Sequence, residues 1–393
     1  MISLPTRPIS SVLATFSPRL LVLVIFISAL LLAACSEPKS SGNEGIDTGS
    51  MGNLLGNKSE GFTPVLPGGS ITFPADHQPH EGFRQEWWYL TANLKTEQGK
   101  PLGLQWTQFR IALSPPDRSL EQLTDSRGWA TDQLYMAHSA VTTQTSHLAS
   151  ERWSRAHPQL AGVDTSPFTV KLDNWQWQSQ GEALFPASLT VSDNKFAYRL
   201  TLSTHSPYQL QGERGFSIKS ADCSVASYYY SQPFIEVEGW VTPEKNSENE
   251  GDSERQRVSG KAWLDREWSS QFLNRSQQGW DWFSLRLNDG STLMLFQLRG
   301  AQNFYSARRM FVNGSGHNIE SGMIQMTAID WHRIGDNHYP VSWKIAIPSE
   351  QIEITTHSLN PNANMPLSVS YWEGPIKIQG SHSGEGYMEL TGY

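Results

Sequence analysis

The sequence predicts an all-β protein built from two related antiparallel units. Three observations lead there. A Trp-rich strand signature occurs twice, as Glu86-Trp87-Trp88-Tyr89-Leu90 and as Gly279-Trp280-Asp281-Trp282-Phe283, each followed by a Gly turn and a second apolar run. Short strand-like runs recur between turn signals along most of the chain. No convincing long amphipathic helix breaks the series.

The first signature continues through Thr91-Ala92-Asn93-Leu94 and a turn over residues 96–99 into Leu102-Gly103-Leu104-Gln105-Trp106-Thr107-Gln108-Phe109-Arg110. The second continues through Leu285-Arg286-Leu287 and the turn Asn288-Asp289-Gly290 into Leu293-Met294-Leu295-Phe296-Gln297-Leu298-Arg299. Asp-Gly between β-formers is a strong hairpin signal. Leu94 matches Leu287, and Phe109-Arg110 matches Leu298-Arg299, as expected of one hairpin copied by duplication. Further strands are predicted at 135–142, 168–177, 187–191, 196–203 and 234–241, and in the second half at 259–264, 306–312, 323–331, 341–347, 352–356, 366–372 and 376–381. Residues 144–155 fit a short helix or an irregular loop equally well. The polar stretch 243–257 lacks an apolar anchor and is expected to be an acidic loop or linker. Many short strands at regular spacing point to barrels or sandwiches.

At 393 residues the chain is long enough for two domains. The 15 Trp, 12 Tyr and 16 Phe supply an aromatic interior, so most of it is expected to fold. At the N-terminus Arg7 and Arg19 precede an apolar run that ends in Leu32-Ala33-Ala34-Cys35. The run falls short of the roughly 20 residues that span a bilayer, and small residues before a Cys resemble a bacterial lipoprotein signal. Residues 1–34 are then a signal peptide and Cys35 carries the lipid. Ser36 rather than Asp follows it, which by analogy implies sorting to the outer membrane, facing the periplasm. Residues 35–61 form a Ser-, Gly- and Asn-rich tether with a reach of roughly 25–30 Å. Cleavage removes Arg7 and Arg19 and no acid, moving the formal charge from −8 to −10. An acidic chain without a basic patch is not expected to bind nucleic acid. With Cys35 acylated, Cys223 is left without an intramolecular disulfide partner.

Two clusters could carry chemistry. In Asp76-His77-Gln78-Pro79-His80-Glu81, followed by Arg84 and Glu86, two His with flanking acids could hold Zn²⁺ or supply a base. The Pro breaks any helix that would fix their spacing, so no metal is expected, and the structural alternative pairs Arg84 with Glu86 at a barrel mouth. In Trp263-Leu264-Asp265-Arg266-Glu267-Trp268, alternation places Asp265 and Glu267 on one face of a strand and Leu264, Arg266 and Trp268 on the other. Asp281 lies one loop away in sequence. Carboxylates in aromatic surroundings suit acid–base chemistry, because apolar walls raise a carboxyl pKa. The alternative is a buried ion-pair network with Arg266, Arg286 or Arg299. His138 sits in a strand and could face the first barrel's lumen. Ser139 and Ser269 lack a nucleophile elbow, and no phosphate loop, dinucleotide fingerprint or Cys-rich knuckle occurs.

These residues carry a family resemblance. Phe73-Pro74-Ala75-Asp76-His77, the Glu86 signature, Ala137-His138, the segments 262–270 and 279–285, Tyr371-Trp372-Glu373-Gly374 and residues 386–393 resemble the AttH and carotenoid 1,2-hydratase (hydroxyneurosporene synthase) family of secreted lipocalin-like proteins. The resemblance covers about residues 65–393. It implies two tandem lipocalin-like, calycin-type barrels, at 62–242 and 258–393. Hydratase members add water to a double bond of an acyclic carotenoid without a cofactor, which needs an acid and a base. It implies proton donation by Asp265, Glu267 or Asp281 and cation stabilisation by Trp268, Trp280 and Trp282. Where the hydratase branch has a His between the Asp and the Trp, this chain has Arg266, which is no acid near neutrality.

The expected protein is therefore a lipid-anchored envelope protein that holds a lipid, isoprenoid or hydrophobic peptide in a barrel cavity, beside an ABC-type export system. Expected ligand contacts are His77, His80, Glu86, Trp87, His138, Arg266, Trp268, Trp280 and Trp282. The alternatives are a cofactor-free hydratase or hydrolase and an adaptor with filled barrels.

Overall fold

The computed structural model describes residues 59–116, 131–244, 255–271, 273 and 277–393. The signal segment 1–34, Cys35, the tether to residue 58 and residues 245–254 of the polar loop lie outside the described residues.

Strands β1 (Gln85–Thr96), β2 (Pro101–Ala112), β3 (Gln133–Thr142), β4 (His147–Arg155), β5 (Ala161–Thr165), β6 (Phe168–Leu172), β7 (Trp175–Ser179), β8 (Ala187–Ser192), β9 (Ala197–Ser203), β10 (Gln209–Leu210), β11 (Phe216–Ile218), β12 (Ala226–Thr242) and β13 (Gln256–Ser269) make one antiparallel sheet. Its order is β4-β3-β2-β1-β13-β12-β9-β8-β7-β6-β5, with β10 and β11 added to β12. A second sheet holds β14 (Gln277–Leu287), β15 (Thr292–Gly300), β16 (Phe304–Met310), β17 (Gly316–Ile319), β18 (Gln325–Ile334), β19 (Asn337–Ile347), β20 (Ile352–Ser358), β21 (Asn364–Pro366), β22 (Ser370–Gly380) and β23 (Gly384–Leu390). It runs β17-β16-β15-β14-β23-β22-β20-β19-β18, with β21 on β22. The first sheet curls into a nearly closed barrel and the second into a half-barrel. Gln108 Nε2 donates to Lys171 O at 3.0 Å, linking β2 to β6 across the barrel.

Both predicted hairpins form, as β1–β2 and β14–β15. Gly99 (φ 77°) and Gly290 (φ 85°) occupy the left-handed turn positions that a side chain would strain. In each sheet the first hairpin strand pairs on its other side with the last strand of that sheet, β1 with β13 and β14 with β23. This corrects the expected division at residue 258. Strand β13 runs beside β1 from Gln85↔Ser269 to Thr96↔Val258, so the chain changes sheet only after Ser269. Other expectations change as well: the runs 366–372 and 376–381 are bridged by the single strand β22. Residues 147–155 are neither helix nor loop but strand β4, its backbone satisfied by β3. The run 168–177 is two strands, because Asp173 turns the chain at φ 59°.

Burial along each strand tells where the sheets meet. Strand β9 alternates buried and exposed, as a strand with one wet face should. Strands β1, β2 and β15, the 262–269 half of β13 and most of β14 are buried on both faces. One face of β1, with Trp88, Leu90, Ala92 and Leu94, enters the first barrel's core, where Trp106, Trp175 and Trp177 fill the interior. The other face, with Trp87 and Tyr89, packs against residues of the second sheet, including Trp282 and Tyr371. Asn93 Nδ2 donates to Gly386 O at 2.8 Å, and Arg286 Nη2 to Ala262 O at 2.8 Å, fastening the two sheets.

Candidate active site between the two sheets

The cavity follows from this alternation. Odd-numbered residues of β1, β2 and β13 and even-numbered residues of β14 and β15 face each other across a space of about 750 Å³, measured out to its mouth. Trp87, Tyr89, Phe109, Trp280, Trp282 and Phe296 supply ring walls. Tyr229 and Tyr371 add phenols, and Asp265, Glu267, Glu373, Glu389 and Lys219 add charge. The two sheets contribute matching positions: Tyr89 stands opposite Asp265 on β13, and Trp282 stands opposite Glu389 on β23.

Asp265 is 3% exposed and accepts three hydrogen bonds, from Ser231 Oγ (2.5 Å), Trp263 Nε1 (2.7 Å) and Tyr229 Oη (2.7 Å). Burial outweighs these donors and pushes its carboxyl up to about 7. Its carboxyl therefore ionises far less readily than a solvated one. Glu267 is neutralised locally: Lys219 Nζ lies 2.7 Å away and Ser227 Oγ donates to it. Lys219 rests on the rings of Tyr229 and Phe296, at 4.8 and 4.3 Å.

Glu373 and Glu389 are direct cross-strand partners on β22 and β23. Tyr89 Oη donates to Glu373 Oε1 at 2.5 Å, and Trp280 Nε1 donates to Glu389 Oε1 at 3.0 Å. Burial, followed by mutual repulsion, raises Glu373 well above the usual carboxyl range, and burial raises Glu389 as well. Two adjacent carboxyls in a dry wall cannot both ionise at neutral pH, so the pair keeps a proton. Glu373 Oε2 is buried without an aligned donor.

The structure brings Asp265, Glu267, Trp87, Trp280 and Trp282 into one cavity. Six expected ligand contacts lie elsewhere: alternation turns Glu86, Arg266 and Trp268 to the other face of β1 and β13, His77 and His80 pack there from the segment before β1, and His138 is placed by β3. Glu86 is sandwiched between the guanidinium groups of Arg110 and Arg266, with His80 Nδ1 at 3.1 Å. Burial opposes its charge, but the two Arg prevail and hold it well below the usual range. The predicted Arg84–Glu86 pair is thus replaced by Arg110 and Arg266. Arg266 stacks on Trp88 (3.9 Å) and, more loosely, on Trp268 (5.3 Å), whose ring also stacks on His80 at 3.8 Å. His77 is fixed by Tyr230 Oη at 2.7 Å, and burial, then Arg266, lowers it to about 3. Among the described residues no group of three His, Cys, Asp or Glu is disposed to hold a metal ion.

Asp281 also leaves the candidate set. It lies between Trp280 and Trp282 on β14 and so points to the opposite face. There Tyr393 Oη donates to it at 2.7 Å and Arg299 Nε lies 3.2 Å away. Burial raises it to about 6 against the pull of Arg299, but it does not line the cavity. The ion-pair alternative therefore applies to Asp281 and Arg299, while Asp265 pairs with no Arg among the described residues. His138 faces out of the barrel rather than into its lumen: its Nδ1 meets Tyr371 Oη at 2.9 Å. It is Ser139 that turns inward, to Tyr198 in the barrel core. The residues missed from sequence are chiefly Tyr89, Tyr229, Lys219, Tyr371, Glu373 and Glu389. A signal existed in the i, i+2 pairs Tyr371/Glu373 and Tyr387/Glu389, where acids interrupt aromatic strand runs.

Fold and site together define a two-sheet, lipocalin-like protein whose buried acids lie between the sheets. The chain belongs to the AttH-like family, whose model matches residues 64–393. A solved AttH-type protein of Nitrosomonas europaea is 32% identical, with a TM-score of 0.73 over 84% of this chain and 99% of its own. Kievitone hydratase of Nectria haematococca shares the fold at 13% identity and TM-score 0.62, over 84% of this chain and 96% of its own. No protein of curated function matches the sequence significantly.

Proposed function

We propose that this protein is an acid–base catalyst that adds water to a carbon–carbon double bond of an apolar substrate, or removes it, in the cavity between the sheets. One observation carries the proposal: Asp265, Glu373 and Glu389 project among ring faces where burial keeps carboxyl groups protonated near neutrality. An unactivated alkene needs an undissociated acid to protonate it, and a solvated carboxyl is ionised at that pH. Family membership and the fold shared with a hydratase support the same class of reaction.

The Glu373–Glu389 pair, two adjacent carboxyls that hold a proton between them, is the acid. It gives its proton to one alkene carbon, and the electron-poor carbon left beside it is stabilised by the Trp and Tyr faces. A water bonds to that carbon and yields a proton to ionised Asp265. The proton count closes when Asp265 releases its proton and the Glu pair takes one up, so the net change is one H and one OH added. Dehydration is the reverse. Arg266 is no obstacle, because it turns away from the cavity to Glu86.

The test is incubation of the full chain with acyclic isoprenoid alkenes in ¹⁸O-labelled water, followed by mass spectrometry. Wild type should yield the singly hydrated product with labelled oxygen. Glu373→Gln and Asp265→Asn should each lower the rate about 10²–10⁴-fold, the usual worth of a general acid or base. Alkene retained unchanged by wild type would reject catalysis and favour a carrier, the reading that the ring walls alone support.

We propose in addition that Cys35 is acylated and holds the folded unit at the outer membrane, beside an ABC-type exporter. Labelled palmitate should enter the wild-type protein in cells and be absent from Cys35→Ala; equal labelling would reject the anchor.

A further inference from the structure

Tyr371 lines the cavity from β22, and its hydroxyl is engaged from behind. His138 Nδ1 lies 2.9 Å from Tyr371 Oη with the two rings stacked at 5.7 Å, and His138 Nε2 lies 3.1 Å from Glu151 Oε2. His138 is fully buried on β3, whereas Glu151 on β4 is partly exposed. Glu151 also accepts Ser368 Oγ at 2.5 Å and the Ser368 amide at 3.4 Å. Burial opposes its charge, but His138 and Ser368 prevail and hold it at about 2.

The donor directions follow from these partners. A carboxylate only accepts, so His138 Nε2 carries the hydrogen on that side. Burial lowers the pKa of His138 and keeps the ring neutral, which leaves Nδ1 a lone pair. Nδ1 must then accept the single hydroxyl proton of Tyr371, and that proton points away from the cavity. Glu373 is the next group on the other side of Tyr371. The groups that face Glu373 are Tyr89 on β1, Tyr371 on β22 and Glu389 on β23, with Asp265 acting through Glu389. Tyr89 satisfies Oε1, while Tyr371 Oη also reaches the Glu373 carboxyl but is not aligned as a donor to Oε2. Glu389 has a donor of its own in Trp280.

We infer that Glu151 and His138 are positioning residues: by drawing Tyr371's only proton out of the cavity, they leave Glu373 to carry the proton of the Glu373–Glu389 pair. The Oε2–H of Glu373 is then free to donate to Tyr371 Oη or to a substrate. Had Tyr371 donated to Glu373, it would have favoured the ionised form and removed the acid. The inference rests on the cavity being a seat of acid chemistry, but its readout needs no substrate, so its failure and the failure of that function are separable.

The experiment is an infrared pH titration of the protonated-carboxyl C=O band in the full chain, assigned by its loss in Glu373→Gln. His138→Phe frees Tyr371 to turn toward Glu373, and the midpoint should fall by about one to two pH units, the size of a hydrogen bond to a charged group. Tyr371→Phe, which has no proton to donate to the carboxylate, should fall less than His138→Phe. His138→Phe combined with Tyr371→Phe should lose the fall. An unchanged midpoint in folded His138→Phe overturns the inference, and so does an equal fall in the double variant, which would mark mere repacking. If His138→Phe does not fold, Glu151→Ala at the partly exposed edge serves instead: without its carboxylate the imidazole loses its tautomer preference, and a fall of the same sign is required.

Discussion

Asp265→Asn tests the acid cavity through stability, with no knowledge of the substrate. Asp265 titrates at about 7 in the folded protein against 3.8 in an exposed chain. A carboxyl raised on folding binds its proton more tightly in the native state. Its stabilising effect is full below the unfolded value and is lost as pH rises through the folded one. Three pH units at 1.36 kcal/mol each give about 4 kcal/mol lost between pH 4 and pH 7. Other groups titrate in the same window, some with opposite sign. His77 and His147, lowered by burial to about 3 and about 4, lose stability as pH falls. The wild-type curve alone is therefore ambiguous, whereas the difference between wild type and Asp265→Asn isolates one site. Urea unfolding of both proteins from pH 4 to 8 should show wild type losing about 4 kcal/mol relative to the variant, levelling above pH 7. Depriving Ser231, Tyr229 and Trp263 of a carboxylate acceptor offsets the whole difference curve without tilting it. A flat difference would mean that Asp265 ionises like a surface carboxyl, and the acid–base function would fail with it.

Three further outcomes follow from the packing. Glu86→Gln leaves Arg110 and Arg266 buried without their shared counter-charge, and urea unfolding at pH 7 should show a loss of about 3–5 kcal/mol. A loss below about 1 kcal/mol, the scale of an exposed pair, would contradict the burial argument. Asp281→Asn should leave hydration of the alkene unchanged while lowering the unfolding midpoint, since Asp281 faces Tyr393 and Arg299 rather than the cavity; a lost activity with an unchanged midpoint would return Asp281 to the site. A Cβ at Gly103 would stand 2.5 Å from Pro375 Cγ and 2.7 Å from Tyr387 Oη of the second sheet. Gly103→Val should cost about 1–3 kcal/mol by overpacking and shift the Trp emission of the cavity walls to longer wavelength as water enters; an unchanged spectrum would show that the sheets tolerate separation there.

Much of the architecture was legible because strand alternation and hairpin turns are local properties. The turn Asn288-Asp289-Gly290 and the doubled Trp signature predicted two hairpins that form in the expected register. Alternation also separated Asp265 and Glu267 from Leu264, Arg266 and Trp268, which is the division the two faces of β13 show. The same rule, applied to Trp280-Asp281-Trp282, would have set Asp281 apart from the cavity-facing rings. His147 to Arg155 resisted assignment because an edge strand with mixed burial has no clean period.

By itself the sequence determined an all-β chain, two related hairpins, and acids set among aromatic strands. Only the tertiary structure decided which face of those strands lines the cavity between the sheets. Period-two alternation sorts residues into two faces but does not name them, and on β1, β14 and the 262–269 half of β13 residues of both faces are buried. The name comes from long-range packing: the first barrel fills its own interior with Trp88, Trp106, Trp175 and Trp177, and the opposite faces of the two sheets are left to enclose the cavity. Glu373 and Glu389 become neighbours of Asp265 only there, because strands more than a hundred residues apart are brought together by sheet pairing and sheet packing, which no local pattern encodes.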